Sequence, residues 1–337
     1  MAASHNGLRG LKVALVGGAG FIGHHLALSL ARKGAEVSII DNLQGSSPEG
    51  SHRRHHLPIV LDRLASLDRA GVKLYIQDAR DYMALGPLLN RTIAPQVVVN
   101  LATRAQGKPS REDPHGNFEH SLRTLENVLD SSRGRPRHFI YLSTHRVYGN
   151  HPHQEVEEDT PLDPLGIDGA VKFTGEKMVI AYQQVFDLEY TIVRTSTVYG
   201  PRHMARRLGQ ISIIDDHPTG WRLEIAGGPE DVVDFTYVED LVEGLALVIT
   251  KPEARNQVFN LTSAQPRRIR EFVAVLQGLL PGSQATYQPP DAALNCQGSL
   301  SIAKARKLLG FTPRFDLEEG MARWIQWYRD RVSEELA

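Results

Sequence analysis

Residues 12–23 read KVALVGGAGFIG. The apolar run Val13–Val16 has the composition of a buried strand, and helical spacing begins at Ile22 and continues to Lys33. Between them lies the turn Gly17-Gly18-Ala19-Gly20-Phe21-Ile22-Gly23. A glycine triplet alone is a weak signal, but a strand before it and a helix after it are the context a dinucleotide-binding turn requires. Gly17 permits the tight turn, Gly20 lets the backbone approach a pyrophosphate, and Gly23 lets helix and strand pack closely. The first amides of the helix, around Phe21 and Ile22, then face the phosphates. Asp41 ends the next apolar run, 18 positions after Gly23. A carboxylate there accepts from the adenosine ribose hydroxyls and repels a 2′-phosphate, so the spacing predicts NAD rather than NADP.

Outward from this turn, the runs Val37–Ile40, Leu74–Ile76, Val97–Leu101, Phe139–Leu142 and Thr191–Val193 read as further buried strands. Tyr82–Arg91, Phe118–Ser131 and Gly169–Phe186 carry helical spacing between them. Such alternation predicts an α/β fold with a doubly wound parallel sheet. From Gly200 to about Glu230 a stretch rich in Gly, Pro and Arg breaks the alternation. Val258–Leu261 offers one more strand, followed by helical patterns at Arg267–Leu279, Ile302–Leu309 and Leu317–Tyr328. The expected division is a cofactor domain over residues 1–199 and 231–261, with a smaller C-terminal α/β substrate lobe over 200–230 and 262–337.

Among the 337 residues, 41% are apolar and 23% charged, the composition of a soluble globular chain, and the formal net charge of −1 gives no electrostatic bias toward nucleic acid or anionic membrane. The first ten residues lack the apolar core of a signal peptide, and no apolar run approaches the roughly 18 residues of a membrane helix. Cys296 is the only cysteine, which excludes an intrachain disulfide and a cysteine-rich zinc site and fits a reducing compartment, so a cytoplasmic protein is expected. Histidines cluster at His52, His55 and His56 and at His151 and His153. Both groups lie in polar, turn-rich stretches without a supporting ligand pattern, so they read as solvated loops and no metal is expected.

The chain resembles the extended short-chain dehydrogenase/reductase family, the nucleotide-sugar epimerases and dehydratases in particular. GGAGFIG, IIDNLQGSS (39–47), QDARD (77–81), YLSTHRVYG (141–149), VRTSTVYGPR (193–202), VVDFTYVEDLVEG (232–244), FNLTSA (259–264) and KARKLLGFTPRFDLEEG (304–320) occur in family order over nearly the whole length. The resemblance implies a Rossmann domain that binds NAD and a lobe that binds a nucleotide sugar. It also implies that Asp78 and Ala79 contact adenine, that Leu101 and Ala102 line the cofactor, and that Asn42 supports the ribose. Thr144 would supply the Ser/Thr hydroxyl, Lys172 would bind the nicotinamide ribose, and Lys108, Thr197 and Arg202 would contact substrate. A homodimer through the helices corresponding to Phe118–Ser131 and Gly169–Phe186 follows from the same resemblance.

The acid/base set departs from the family pattern. A tyrosine usually stands four residues before the lysine, and here the stretch reads Asp168-Gly169-Ala170-Val171-Lys172. The proton carrier has changed type. A carboxylate suits proton removal from a carbon beside a carbonyl better than simple alcohol oxidation. The positions after Thr144, Asp and Glu in sugar 4,6-dehydratases, are His145 and Arg146, and the usual asparagine of the preceding helix reads His120. His145 and His120 are candidates to titrate near neutrality and supply an acid. Two arginines that usually grip a nucleotide diphosphate appear as Val233 and Gln288, leaving Arg202, Arg206 and Arg207 as phosphate-binding substitutes or as a solvated basic loop. Three functions remain open: an NAD-dependent nucleotide-sugar or polyol epimerase/dehydratase using transient oxidation through Thr144, Asp168, Lys172 and His145; a same-fold enzyme of non-redox proton transfer or elimination; and an NAD-binding protein without turnover.

Overall fold

The structure is a computed structural model that describes residues 7–44, 53–103, 113–134, 136–151, 155–203, 207–217, 219–291 and 298–336. Seven strands form one sheet, in the spatial order Gln257–Asn260, Tyr190–Thr195, His138–Thr144, Val97–Asn100, Lys12–Val16, Glu36–Asp41, Lys73–Ile76. Every pairing in it is parallel. Because crossover helices cover both faces, the strands are apolar throughout rather than alternating. Leu15, Ile39, Val99 and Ile140 pack on one face against the helices Phe21–Arg32 and Val238–Thr250. Ala14, Val16, Val98 and Tyr141 pack on the other against Leu85, Leu125, Val128 and Val179. Chain order reverses at Lys12–Val16, which lies between the second and fourth strands in sequence. Ligands bind at such a switch point, beyond the carboxyl ends of the strands. The glycine turn and the segment Leu101–Ala102 leave the sheet there.

The stretch that breaks the alternation is not irregular. Ile211–His217 and Gly220–Ala226 form an antiparallel hairpin, extended by Gln284–Gln288 and Arg207–Leu208. Its apolar face carries Ile211, Ile213, Trp221, Leu223 and Ile225 into a second core with Phe272, Leu276, Trp324 and Tyr328. Trp221 and Trp324 meet edge to face at 5.1 Å, and Phe235 stacks on Phe272 at 4.9 Å. Turn-forming residues at its start and close concealed a period-two pattern, which is visible once Trp221, Leu223 and Ile225 are read together.

The histidine-rich stretch also departs from the expected solvated loop. Arg53–Arg69 is a helix that includes the backbone of His55 and His56, while His52 and His153 lie outside the described residues. Val60, Arg63, Leu64 and Leu67 recur at helical spacing and turn inward, with Arg63 only 2% exposed. A charged residue on the core face hid the pattern. His151 holds the carbonyl of Tyr148 at 2.9 Å. Among the described residues, no group of His, Cys, Asp and Glu is placed to hold a metal, and no helix is long and apolar enough to cross a membrane.

Candidate functional site

The glycine turn has the shape a dinucleotide needs. Gly17 lies at φ +78°, and a Cβ there would fall 2.6 Å from the amide nitrogen of Ala102. Only glycine fits both demands. A Cβ on Gly23 would fall 2.6 Å from Cα of Gly18, so helix and turn touch through bare backbone. At Gly20, the N-cap of the helix Phe21–Arg32, no side chain caps the exposed amides and no acidic residue occupies the first turn. An uncapped helix N-terminus of this kind satisfies its amides on an anion, here a pyrophosphate. Asn100, fully buried at the adjoining strand end, has neither atom of its side-chain amide hydrogen-bonded. The residues therefore fit NAD.

Asp41 is fixed by two amides: Ala19 N donates to Oδ2 at 3.0 Å and Leu43 N to Oδ1 at 2.8 Å. Burial raises its pKa, opposed by those two amides. Each oxygen keeps lone pairs that can accept further hydrogen bonds. Asn42 Nδ2 donates to Asp78 Oδ2 at 3.1 Å, and Arg80 grips the same carboxylate at 2.6 Å. The Arg80 guanidinium holds the Asp78 carboxyl well below the usual range. Ala79 and Leu101 are buried beside this network, and Ala102 is half-buried. Asn127 supports the loop after the strand Lys73–Ile76 by donating to the carbonyls of Ala79 and Arg80 at 3.0 and 2.8 Å.

At the reacting end, Thr144 closes the strand His138–Thr144, and its Oγ1 accepts from Arg146 N at 3.4 Å, capping the short turn His145–Val147. The helix Gly166–Phe186 crosses beside it and begins before Asp168, with Leu165 as N-cap, so Asp168 is not the cap. Asp168 and Lys172, four residues apart, share one face. Lys172 is 5% exposed, donates to the Leu142 carbonyl at 2.8 Å and lies 4.9 Å from the centre of the Tyr141 ring. Burial lowers its pKa to about 8 against the opposing pull of Asp168 and Glu176.

A residue not anticipated from the sequence reaches Asp168: Asn117 Nδ2 donates to its Oδ1 at 3.3 Å. Ser121 Oγ donates to Asn117 Oδ1 at 3.0 Å and lies 3.4 Å from Thr103 Oγ1. The signal available was the spacing Asn117-x-x-x-Ser121, two small polar residues on one helical face. A π-helical segment at Glu119–Arg123 interrupts this helix and alters which side chains face inward. His120 Nε2 lies 3.2 Å from Arg80. Burial lowers the pKa of His145 to about 4, below the range expected from the sequence, and its Nδ1 lies 3.2 Å from the Thr195 carbonyl.

The substrate-side expectations divide. Thr197 is buried in the strand Thr197–Tyr199 with its Oγ1 close against Gly209. Arg202 is not a free phosphate grip. Its Nε pairs with Asp62, its NH2 donates to Ser66, and its carbonyl accepts from Arg63. Asp62 also holds Arg331 at 3.0 Å. The sequence showed the arginine but not the carboxylate on the helix Arg53–Arg69 that takes it. Val233 is buried, and Gln288 ends a strand paired to Ala226. Lys108, Arg206 and the side chain of Arg207 lie outside the described residues.

A family model described as the NAD dependent epimerase/dehydratase family matches residues 13–262. A Bacillus subtilis protein named as an uncharacterized UDP-glucose epimerase, YtcB, is 28% identical over 327 residues, covering 94% of this chain and 98% of the relative. UDP-glucuronate 4-epimerase 2 of Arabidopsis thaliana is 27% identical over 342 residues, covering 95% of this chain and 76% of that protein. Among solved structures, UDP-glucuronic acid 4-epimerase from Bacillus cereus, in complex with UDP-glucuronic acid and NAD, matches with a TM-score of 0.80 at 25% identity over 95% of this chain and all of that one. UDP-glucose 4-epimerase from Thermotoga maritima shares the fold with a TM-score of 0.81 at 24% identity, over 95% of this chain and 99% of that one.

Proposed function

The chain belongs to the NAD-dependent epimerase/dehydratase family, and from that premise we propose that it epimerises a UDP-hexose by transient oxidation, with Asp168 in place of the usual tyrosine. The observation that carries this reading is the placement of Asp168 one helical turn before the buried Lys172, within reach of Asn117. NAD, held at the glycine turn and by Lys172, would supply a reversible hydride acceptor for the sugar carbon. Thr144, at the strand end, donates a hydrogen bond to the hydroxyl being oxidised. Asp168 takes the proton of that hydroxyl as the hydride leaves, when the developing positive charge on the C–O unit makes the proton acidic enough for a carboxylate, and gives it back when the ketone is reduced from its other face. Lys172 holds the nicotinamide ribose. Asn117 fixes the direction of the carboxylate. His145 stays neutral and lines the sugar side through the face of its ring.

Within this reading Gly17, Gly20, Phe21, Ile22 and Gly23 cradle the pyrophosphate, Asp41 and Asn42 the ribose, and Asp78, Ala79, Leu101 and Ala102 the adenine and adjoining cofactor. Residues 1–199 and 231–261 form the cofactor domain and 200–230 and 262–337 the substrate lobe. The separate core around Trp221 and Trp324 supports a distinct substrate lobe, with Val233, Phe235 and Tyr237 packed into that core and Ile302, Ala305, Leu309 and Phe311 packed against the sheet. The working unit is a homodimer joined by the helices that carry Phe118 and Val185, which are 44% and 69% exposed. Sedimentation of the purified protein tests the dimer.

The test of function is incubation with UDP-glucose and UDP-glucuronate, with products followed by proton NMR and reduced cofactor by absorbance. Conversion to the 4-epimer with transient reduced cofactor is the expected result. Absence of any product across a panel of nucleotide sugars would overturn the reading.

A further inference from the structure

Between the end of the strand His138–Thr144 and the neighbouring strands lies a cavity lined by His145, Tyr148, Val156, Ser196, Asp234 and Leu300. Room for the centre of a water molecule in it amounts to about 20 Å³, and one water requires roughly 10–15 Å³ together with two to four polar partners. The walls supply those partners. Asp234 is 3% exposed; its Oδ1 accepts from Ser263 Oγ at 2.6 Å, while Oδ2 has no hydrogen bond. Leaving a buried carboxyl oxygen dry carries the full cost of an unmade bond. Ser196 Oγ shares a hydrogen bond of 2.7 Å with Thr236 Oγ1 and also lines the cavity. His145 completes the wall. A carbonyl only accepts, so the contact with Thr195 O places the ring proton on Nδ1 and leaves Nε2 as an acceptor.

We propose that one water in this cavity joins Oδ2 of Asp234 to Nε2 of His145, and that Asp234 is a positioning residue which holds the His145 ring for the reaction. Burial raises the pKa of Asp234, opposed by the hydrogen-bonding groups around it, Ser263, Thr262, Ala264 and Ser196. The water donates one hydrogen to Nε2 and the other to Oδ2, and Nδ1–H donates to the Thr195 carbonyl. Burial, with the adjacent Arg146, keeps His145 neutral. The effect on turnover rests on the function proposed above, whereas the state of the His145 ring does not.

The experiment is ¹⁵N NMR of the full-length protein labelled at histidine, with His145 assigned by the loss of its signals in His145→Gln. The expected spectrum shows protonated Nδ1 and hydrogen-bonded, unprotonated Nε2, unchanged from about pH 6 to about pH 8. Asp234→Asn keeps a polar partner for the water in place and retains that signature. Asp234→Val removes that partner, moves the Nε2 signal toward that of a free acceptor, and lowers kcat about tenfold, the equivalent of one charge-free hydrogen bond, with KM nearly constant. A protonated Nε2 in the wild-type protein overturns the proposal, as does loss of the signature in Asp234→Asn or its persistence in Asp234→Val. If Asp234→Val does not fold, the wild-type and Asp234→Asn spectra decide. Absence of turnover with every nucleotide sugar defeats the proposed function and leaves the spectroscopic result standing.

Discussion

The side-chain amide of Asn117 donates to Oδ1 of Asp168 at 3.3 Å, linking the helix before the strand His138–Thr144 to the helix after it. A hydrogen bond to a carboxylate contributes about 1.5–3 kcal/mol in buried settings. Asn117→Ala should therefore lower kcat about tenfold or more while NAD affinity, measured by calorimetry, stays within experimental scatter. An unchanged kcat would make Asn117 a packing residue only.

Asp168→Asn keeps the shape and the contact distance but removes the base. The expected result is a loss of about 10²-fold or more in rate with NAD affinity nearly intact. Full turnover by this variant would sink the assigned role and shift the proton transfer to Thr144 or another group.

Much of this architecture was legible because the sheet is parallel and buried on both faces. Val13–Val16 and Val97–Asn100 are continuous apolar runs bounded by turns, and the glycines of residues 17–23 leave few alternatives. Asp168 and Lys172 were visible as an i, i+4 pair. What the sequence hid were pairings across long separations: Asn117 to Asp168, Asp62 to Arg202, and Asp234 beside His145 in one cavity. Each depends on which face a helix turns inward. At Glu119–Arg123 a π-helical turn, which periodicity does not reveal, shifts the register of the side chains that follow Asn117, and His120 meets Arg80. Arg63 on the core face of its helix likewise broke the apolar pattern that would have marked the element.

The placement of Asp41, anchored by the amides of Ala19 and Leu43, sets the cofactor preference. Its carboxylate would stand against a 2′-phosphate, so NAD should bind at least tenfold more tightly than NADP, about 1.4 kcal/mol. Asp41→Ala should narrow the gap. Calorimetric titrations giving equal or tighter NADP binding in the wild-type protein would contradict the assignment.

Arg202 and Arg331 both meet Asp62, whose side chain is 11% exposed. Removing one carboxylate leaves two arginines without that partner, so Asp62→Asn should destabilise the fold by about 1–3 kcal/mol, less than for a fully buried pair. Urea unfolding measures this. Arg202→Gln should lower stability to a similar extent while changing KM for a nucleotide sugar less than about threefold, a shift under about 0.7 kcal/mol. A much larger rise in KM without loss of stability would restore Arg202 as a phosphate ligand.

Lys172 makes the cofactor site costly in the cofactor-free protein. Burial lowers its pKa to about 8, whereas in an unfolded chain a lysine titrates near about 10.4. Between those values the unfolded chain binds more protons than the folded one, so stability rises with pH through that window. The penalty is fully present below about pH 8 and is relieved as pH approaches about 10.4, a change on the order of 3 kcal/mol. Lys172→Met removes the titrating group but leaves the Leu142 carbonyl without its donor. The wild-type protein should accordingly gain stability relative to Lys172→Met as pH rises from about 8 to about 10.4, and the two should run parallel below about 8. NAD affinity should fall in the variant at all these values, because the ammonium that the ribose would contact is gone. Denaturant unfolding of both proteins across this range, with no NAD added, checks the slope. A constant difference between them would mean that Lys172 titrates as it does in the unfolded chain, and retained NAD affinity would remove it from the cofactor site.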